Sequence, residues 1–264
     1  MMITFVATCL LLGAFAGFMA GLLGIGGGLI IVPILLYLLP LMDVSNDVLM
    51  PMAIATSLAT IIITSSSAAL VHHKNKNIPW QLAKPMALAV GVGASLGAFI
   101  ADAITTEALT HFFAGGVIVL AGYMLLSIVN IHQRPLPSVP ILVGISLLTG
   151  TVASLMGIAG GAILVPVLSY CGLALRQTIG LSTICGVSVA IFGSLSFILT
   201  GIDKQDLPAY SLGYIYLPAL ICIVITSSPF AKFGVKMASR LPVQSLKRIF
   251  AIFLIIVAIK MMLS

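Results

Sequence analysis

The chain has 264 residues, of which 61% are hydrophobic and only 7% charged, whereas a water-soluble domain carries about 25% charged residues. Its formal charge of +6 therefore sits on a body with no polar exterior. That excludes a soluble enzyme or nucleic-acid binder and points to an all-α polytopic protein of the lipid bilayer.

The first apolar run, residues 3–39, has neither a basic leader nor a small-residue cleavage site before its first polar loop, so it reads as retained rather than as a cleaved signal. As one helix it would be over 50 Å long at about 1.5 Å per residue, against a hydrocarbon core of about 30 Å. The cluster Gly24-Ile25-Gly26-Gly27-Gly28 divides it into a long arm, 3–23, and a short arm, 29–39. The short arm reaches only about 18 Å, roughly half the bilayer. Runs of spanning length follow at 48–71, 81–104 and 108–131, each near the ~20 residues that a crossing needs. After a short basic linker at 132–138 comes a second overlong run, 139–173, broken by Gly157-Ile158-Ala159-Gly160-Gly161 into arms 139–156 and 162–173. Spans at 178–200, 210–230 and 245–263 complete the chain.

The second glycine cluster repeats the first 133 residues later, and the match extends on both sides: Ala20/Ala153, Leu22/Leu155, Ile30/Ile163, Val32/Val165, Pro33/Pro166, Leu35/Leu168 and Tyr37/Tyr170. Pro85 and Pro218 share the same offset. The pattern divides the chain into a first membrane repeat (1–131), the linker (132–138) and a second repeat (139–264). Each repeat holds one glycine-broken re-entrant hairpin and three spans, as in transporters built by duplication. If neither hairpin adds a net crossing, Lys74, Lys76, Lys84, Arg134, Arg176, Lys232, Lys236, Arg240, Lys247 and Arg248, ten of the 12 basic residues, fall on one side. Lys204, Lys260 and all six acids fall on the other. By the positive-inside rule the basic side is cytoplasmic and both termini lie outside. Three crossings per repeat then make the two repeats inverted, so that the glycine tips enter from opposite sides and meet near mid-membrane.

A helix begins directly after each cluster, and helix N-termini attract anions through their free N–H groups without any basic side chain. The expected substrate contacts are Gly24, Gly26, Gly27, Gly28, Gly157, Gly160 and Gly161, together with the hydroxyls Thr56, Ser57, Ser182 and Thr183 near the start of the following spans. Close helix packing is the competing account of the glycines, and back-bonding to the preceding turn that of the hydroxyls. His72-His73 reads as an interfacial pair without a third metal ligand. Cys9, Cys171, Cys185 and Cys222 lie in apolar stretches without paired spacing and read as packing residues. The polar groups are dispersed: no catalytic set, metal site or cofactor motif can be assembled, and the partners expected are a small anion and the bilayer, with no nucleic acid.

The two glycine clusters with their trailing Val32-Pro33 and Val165-Pro166, the segment Ala55-Thr56-Ser57-Leu58, and the closing Leu246-Lys247-Arg248-Ile249-Phe250 and Lys260-Met261-Met262 resemble the sulfite exporter TauE/SafE family over essentially the whole chain. The resemblance implies transport of small sulfur-containing anions, such as sulfite, sulfoacetate or related sulfonates, across a cell inner membrane, most naturally as an exporter. Two departures, Ala159 in place of a glycine and the inverted order Ser182-Thr183, bear on which anion is carried. The alternatives are a non-transporting membrane assembly or maturation partner and an anion channel.

Overall fold

The computed structural model describes residues 2–23, 26–42, 44–126, 136–204, 207–238 and 243–263. They form an almost wholly helical body. The first half contains α1 (Met2–Leu23), α2 (Gly28–Leu38) with a 3-10 turn (Leu39–Met42), α3 (Asn46–Lys74), α4 (Trp80–Ala103) and α5 (Thr106–Leu126). The second contains α6 (Val139–Leu155), α7 (Gly161–Tyr170), α8 (Leu175–Gly201), a small β-hairpin, α9 (Leu217–Ala238) and α10 (Val243–Leu263).

Local chemistry sets the ends. Asp47 lies in the first turn of α3 and His72, His73 and Lys74 in its last, each at the helix end whose partial charge it opposes. Lys76 then turns left-handed (φ 55°) and stops the helix. Ser138 stands at the N-cap of α6 and a proline follows in its first turn, as helix starts favour. Helix is interrupted at both glycine clusters as expected: α1 ends at Leu23 and α2 begins at Gly28, and α6 ends at Leu155 and α7 begins at Gly161.

Among the described residues six helices are long and apolar enough to cross a bilayer: Thr4–Leu22, Asn46–Lys74, Trp80–Ala103, Thr106–Leu126, Arg176–Gly201 and Leu217–Gly234. The first of these was expected only as a hairpin arm. Its length is that of the expected arm 3–23, and Gly13, Gly17 and Gly21 let α1 lie against the α9 backbone at Ile223, Ser227 and Ala231, the close approach that small residues permit in membrane bundles. The expected span 210–230 needs a correction. Residues Ser211–Leu212 and Ile215–Tyr216 pair as an antiparallel hairpin, and helix resumes only at Leu217. Tyr210 (φ 66°) and Gly213 (φ 53°) are left-handed, which ends a helix. Their apolar neighbours hide that interruption from any hydropathy argument.

The two halves are packed through each other. α1 lies on α9, its counterpart α6 lies on α4, and α3 lies on α8. Gly180 of α8 faces Asn77, just beyond the end of α3, while Gly186 and Gly193 face Ser65 and Leu58 within α3, so the two helices run antiparallel. Gly93 and Gly97 of α4 face Leu147 and Thr151 of α6, so that pair runs parallel. Charges gather at two ends. Lys204 bridges Asp102 at 3.1 Å, and Thr106 Oγ1 donates to the Asp47 carbonyl at 2.8 Å. Lys260 lies 4.9 Å over the Tyr37 ring, joining the ends of α10 and α2. At the opposite end His72, Asn75 and Lys232 share one cavity.

Candidate functional site

Both glycine breaks fold the chain back on its own long arm. The nearest atoms to a side chain added at Gly27 would be the Ala16 carbonyl oxygen, 3.4 Å away, and the Ala20 methyl, 3.5 Å away. At Gly160 the nearest atoms would be a Val189 methyl of α8, 3.4 Å away, and the Thr149 and Ala153 methyls of its own arm α6, 3.8 and 3.9 Å away. Thr149 and Ala153 are the positions 133 residues beyond Ala16 and Ala20. The hairpins also meet each other. A side chain at Gly26 would strike the Ala159 methyl, and one at Gly28 the Gly157 carbonyl. Gly26, Gly27 and Gly157 have φ of 79°, 76° and 61°, conformations that cost an L-residue about 1–2 kcal/mol.

The hydroxyls divide into two pairs. Thr56 and Ser57 are fully buried and engaged: Thr56 Oγ1 accepts the Tyr216 N–H at 3.0 Å, and Ser57 Oγ donates to the Gly157 carbonyl at 2.8 Å. Thr183 donates to the carbonyl of Gly180 within its own helix at 2.7 Å. Ser182 is 2% exposed, yet its hydroxyl has no hydrogen-bond partner, a state that costs about 1–3 kcal/mol.

Ser182 and Thr183 lie on a cavity of ≈400 Å³, whose wall also includes Gly26, Ala159, Gly161, Thr64, Ser65, Ser67, His72, Asn75 and Lys232. Gly161 is the first residue of α7, so the cavity adjoins first-turn N–H groups that have no intrahelical acceptor. Of the expected site residues, Gly26, Gly161, Ser182 and Thr183 line this cavity. The others do not: Gly28, Gly157 and Ser57 lie where the two hairpins meet, Gly27 and Gly160 pack on α1 and on α6 and α8, and Thr56 bonds the Tyr216 N–H. Gly24 lies outside the described residues. Ser65, Asn75 and Lys232 were not expected to join the site, and His72 was expected only at the interface. The antiparallel α3–α8 pairing brings the end of α3 to the start of α8, and no local signal in the sequence announces it. Thr64 and Ser67 bond carbonyls of their own helix at 3.3 and 3.0 Å, the back-bonding expected of membrane hydroxyls. Among the described residues no group of three His, Cys, Asp or Glu side chains could hold a metal ion. A larger recess of ≈520 Å³ between α3, α8 and α9 is aliphatic apart from Ser194, whose buried hydroxyl is likewise without a partner, and its wall carries no basic side chain and no glycine of either cluster.

The arrangement suits a small anion: helix-end N–H groups, hydroxyls and one cation, without a carboxylate on the wall. The family model for the sulfite exporter TauE/SafE matches residues 9–261. A "probable membrane transporter protein" of Haemophilus influenzae is 44% identical over the whole of both chains. Proteins of the same description from Methanocaldococcus jannaschii (26% identical, 90% of this chain and 88% of that one) and Xylella fastidiosa (28%, 94% and 91%) also match. No solved structure matches the chain.

Proposed function

Because the chain belongs to the sulfite exporter TauE/SafE family, and so is a multi-pass membrane transporter and not an enzyme, we propose that it carries small sulfur-containing oxyanions out of the cell across the inner membrane. The substrates of this reading are sulfite, sulfoacetate or another sulfonate. They bind between the two hairpin tips, against Gly26, Gly161, Ser182 and Thr183, with Gly24, Gly27, Gly28, Thr56, Ser57, Gly157 and Gly160 shaping the site as it is exposed to either side in turn. The observation that carries the reading is Ser182: a buried hydroxyl without a partner, on the wall of a cavity that reaches the start of α7. Hydroxyls and helix ends can hold an oxyanion without the expense of burying a charge.

The antiparallel run of α3 and α8 supports two inverted repeats, which alternating access exploits. The gathering of His72 and Lys232 at one end and of Asp102 and Asp47 at the other supports a cytoplasmic basic end and outside termini. Each helix N-terminus contributes about 0.3–2 kcal/mol toward an anion, so binding also needs the hydroxyls. An inside-negative potential of 100 mV drives one negative charge outward by about 2.3 kcal/mol, roughly a fifty-fold gradient. Export therefore needs no coupling ion.

Proteoliposomes loaded with sulfite or a sulfonate, with the potential set by valinomycin, test this. Efflux of the anion that rises with an inside-negative potential is expected. Efflux indifferent to potential refutes electrogenic uniport, and cation flux in place of anion flux refutes the anionic substrate.

A further inference from the structure

The cavity opens onto one end of the molecule, and the hairpin Ser211–Tyr216 occupies the corresponding place at the other. Thr56-Ser57 and Ser182-Thr183 are corresponding hydroxyl pairs on α3 and α8, which run antiparallel. At Ser182 the wall of the cavity meets the pair. At Thr56 the hairpin backbone does, its Tyr216 N–H donating to Thr56 Oγ1 at 3.0 Å. We propose that this hairpin is the gate on the acid-bearing side, and that Tyr214 and Asp102 are positioning residues that hold it shut.

The hairpin has two residues in each strand, and an isolated two-stranded hairpin is marginal at best. It stays closed through what it touches. The Tyr214 hydroxyl donates to Asp102 Oδ1 at 2.6 Å, and Lys204 Nζ lies 3.1 Å from the same oxygen. The tyrosine remains the donor because burial, and then the Asp102 carboxylate that it bonds, raise its phenol pKa far above the ordinary value. Its ring meets Phe197 edge-on at 6.2 Å, and that of Tyr216 meets Phe5 likewise at 5.9 Å. Tyr214, Ile215 and Tyr216 are all buried. Asp102 and Lys204 remain 24% and 42% exposed, so water reaches the latch and can replace it. Charge-assisted hydrogen bonds are strong but few here, as a closure that must open repeatedly requires.

The proposal rests on alternating access, under which opening one gate closes the other. That coupling gives a readout that a merely structural role would not produce. In a background lacking the four native cysteines, Ser182→Cys reports on the cavity through an impermeant maleimide applied at the Lys232 side. Tyr214→Phe keeps the ring and removes the latch; Asp102→Ala, at a more exposed position, is the second variant should the first fold poorly. Size-exclusion profiles verify the fold of each. Severalfold slower labelling of Ser182→Cys in the latch variants is the expected result. Unchanged or faster labelling in properly folded variants overturns the gate. No anion enters the measurement, so its outcome is independent of whether sulfite flux is found.

Discussion

Ser182 and Ser57 make a sharp pair, because truncating each should move stability in opposite directions. Both side chains are buried. Ser182→Ala removes a hydroxyl that has no partner, relieving a penalty of about 1–3 kcal/mol. Ser57→Ala removes the donor that holds the Gly157 carbonyl at 2.8 Å and leaves a buried acceptor short, costing a similar ~1–3 kcal/mol. With about 2–4 °C per kcal/mol for a chain of this size, Ser182→Ala should raise the melting midpoint by roughly 2–12 °C and Ser57→Ala lower it by as much. Midpoints should be compared at one scan rate, since unfolding of large proteins is commonly irreversible. Sulfite efflux should fall at least tenfold in Ser182→Ala, the loss of about 1.4 kcal/mol or more of interaction with the anion. Stability gained at the expense of function is the signature of a polar group kept for a ligand. A destabilised Ser182→Ala protein would show that the hydroxyl serves the fold. A stabilised protein with normal efflux would remove Ser182 from the transport path.

Three further outcomes follow from the same geometry. Gly27→Val places a β-branched residue at φ 76°, at a backbone cost of about 1–2 kcal/mol, and Gly28→Ala drives a methyl into the Gly157 carbonyl; both should abolish efflux while protein remains in the membrane, and normal flux in both would leave the glycines as packing residues alone. Cysteine labelling in sealed vesicles should place Lys74–Lys76 and Lys232 on the cytoplasmic face and both termini opposite; labelling of the two basic segments from opposite faces would refute the inverted arrangement. Lys232→Gln should raise the KM for sulfite presented at the cavity side severalfold in low salt, with the difference shrinking at high salt as screening takes over; a salt-independent change would mean that the lysine acts through packing.

Composition and spacing alone were enough to establish a helical membrane protein broken at two glycine clusters, because the bilayer demands long apolar runs and an eleven-residue arm cannot cross it. The repeat of the glycine cluster was legible as a sequence pattern, and Gly27 and Gly160 lie against residues at the same 133-residue offset, Ala16 and Ala20 or Thr149 and Ala153. The hairpin inside 210–230 was not expected, because Tyr214, Ile215 and Tyr216 continue into the apolar run of α9, and only their burial against Phe197, Phe5 and Thr56 sets them apart. Nor could hydropathy tell which hydroxyls are free. Thr56-Ser57 and Ser182-Thr183 read alike in sequence, yet one pair is bonded across the molecule and the other lies on a cavity. That difference is decided by contacts at separations of 100 and 160 residues. Local sequence determines which groups can form hydrogen bonds, but only the packed chain determines which of them already have partners.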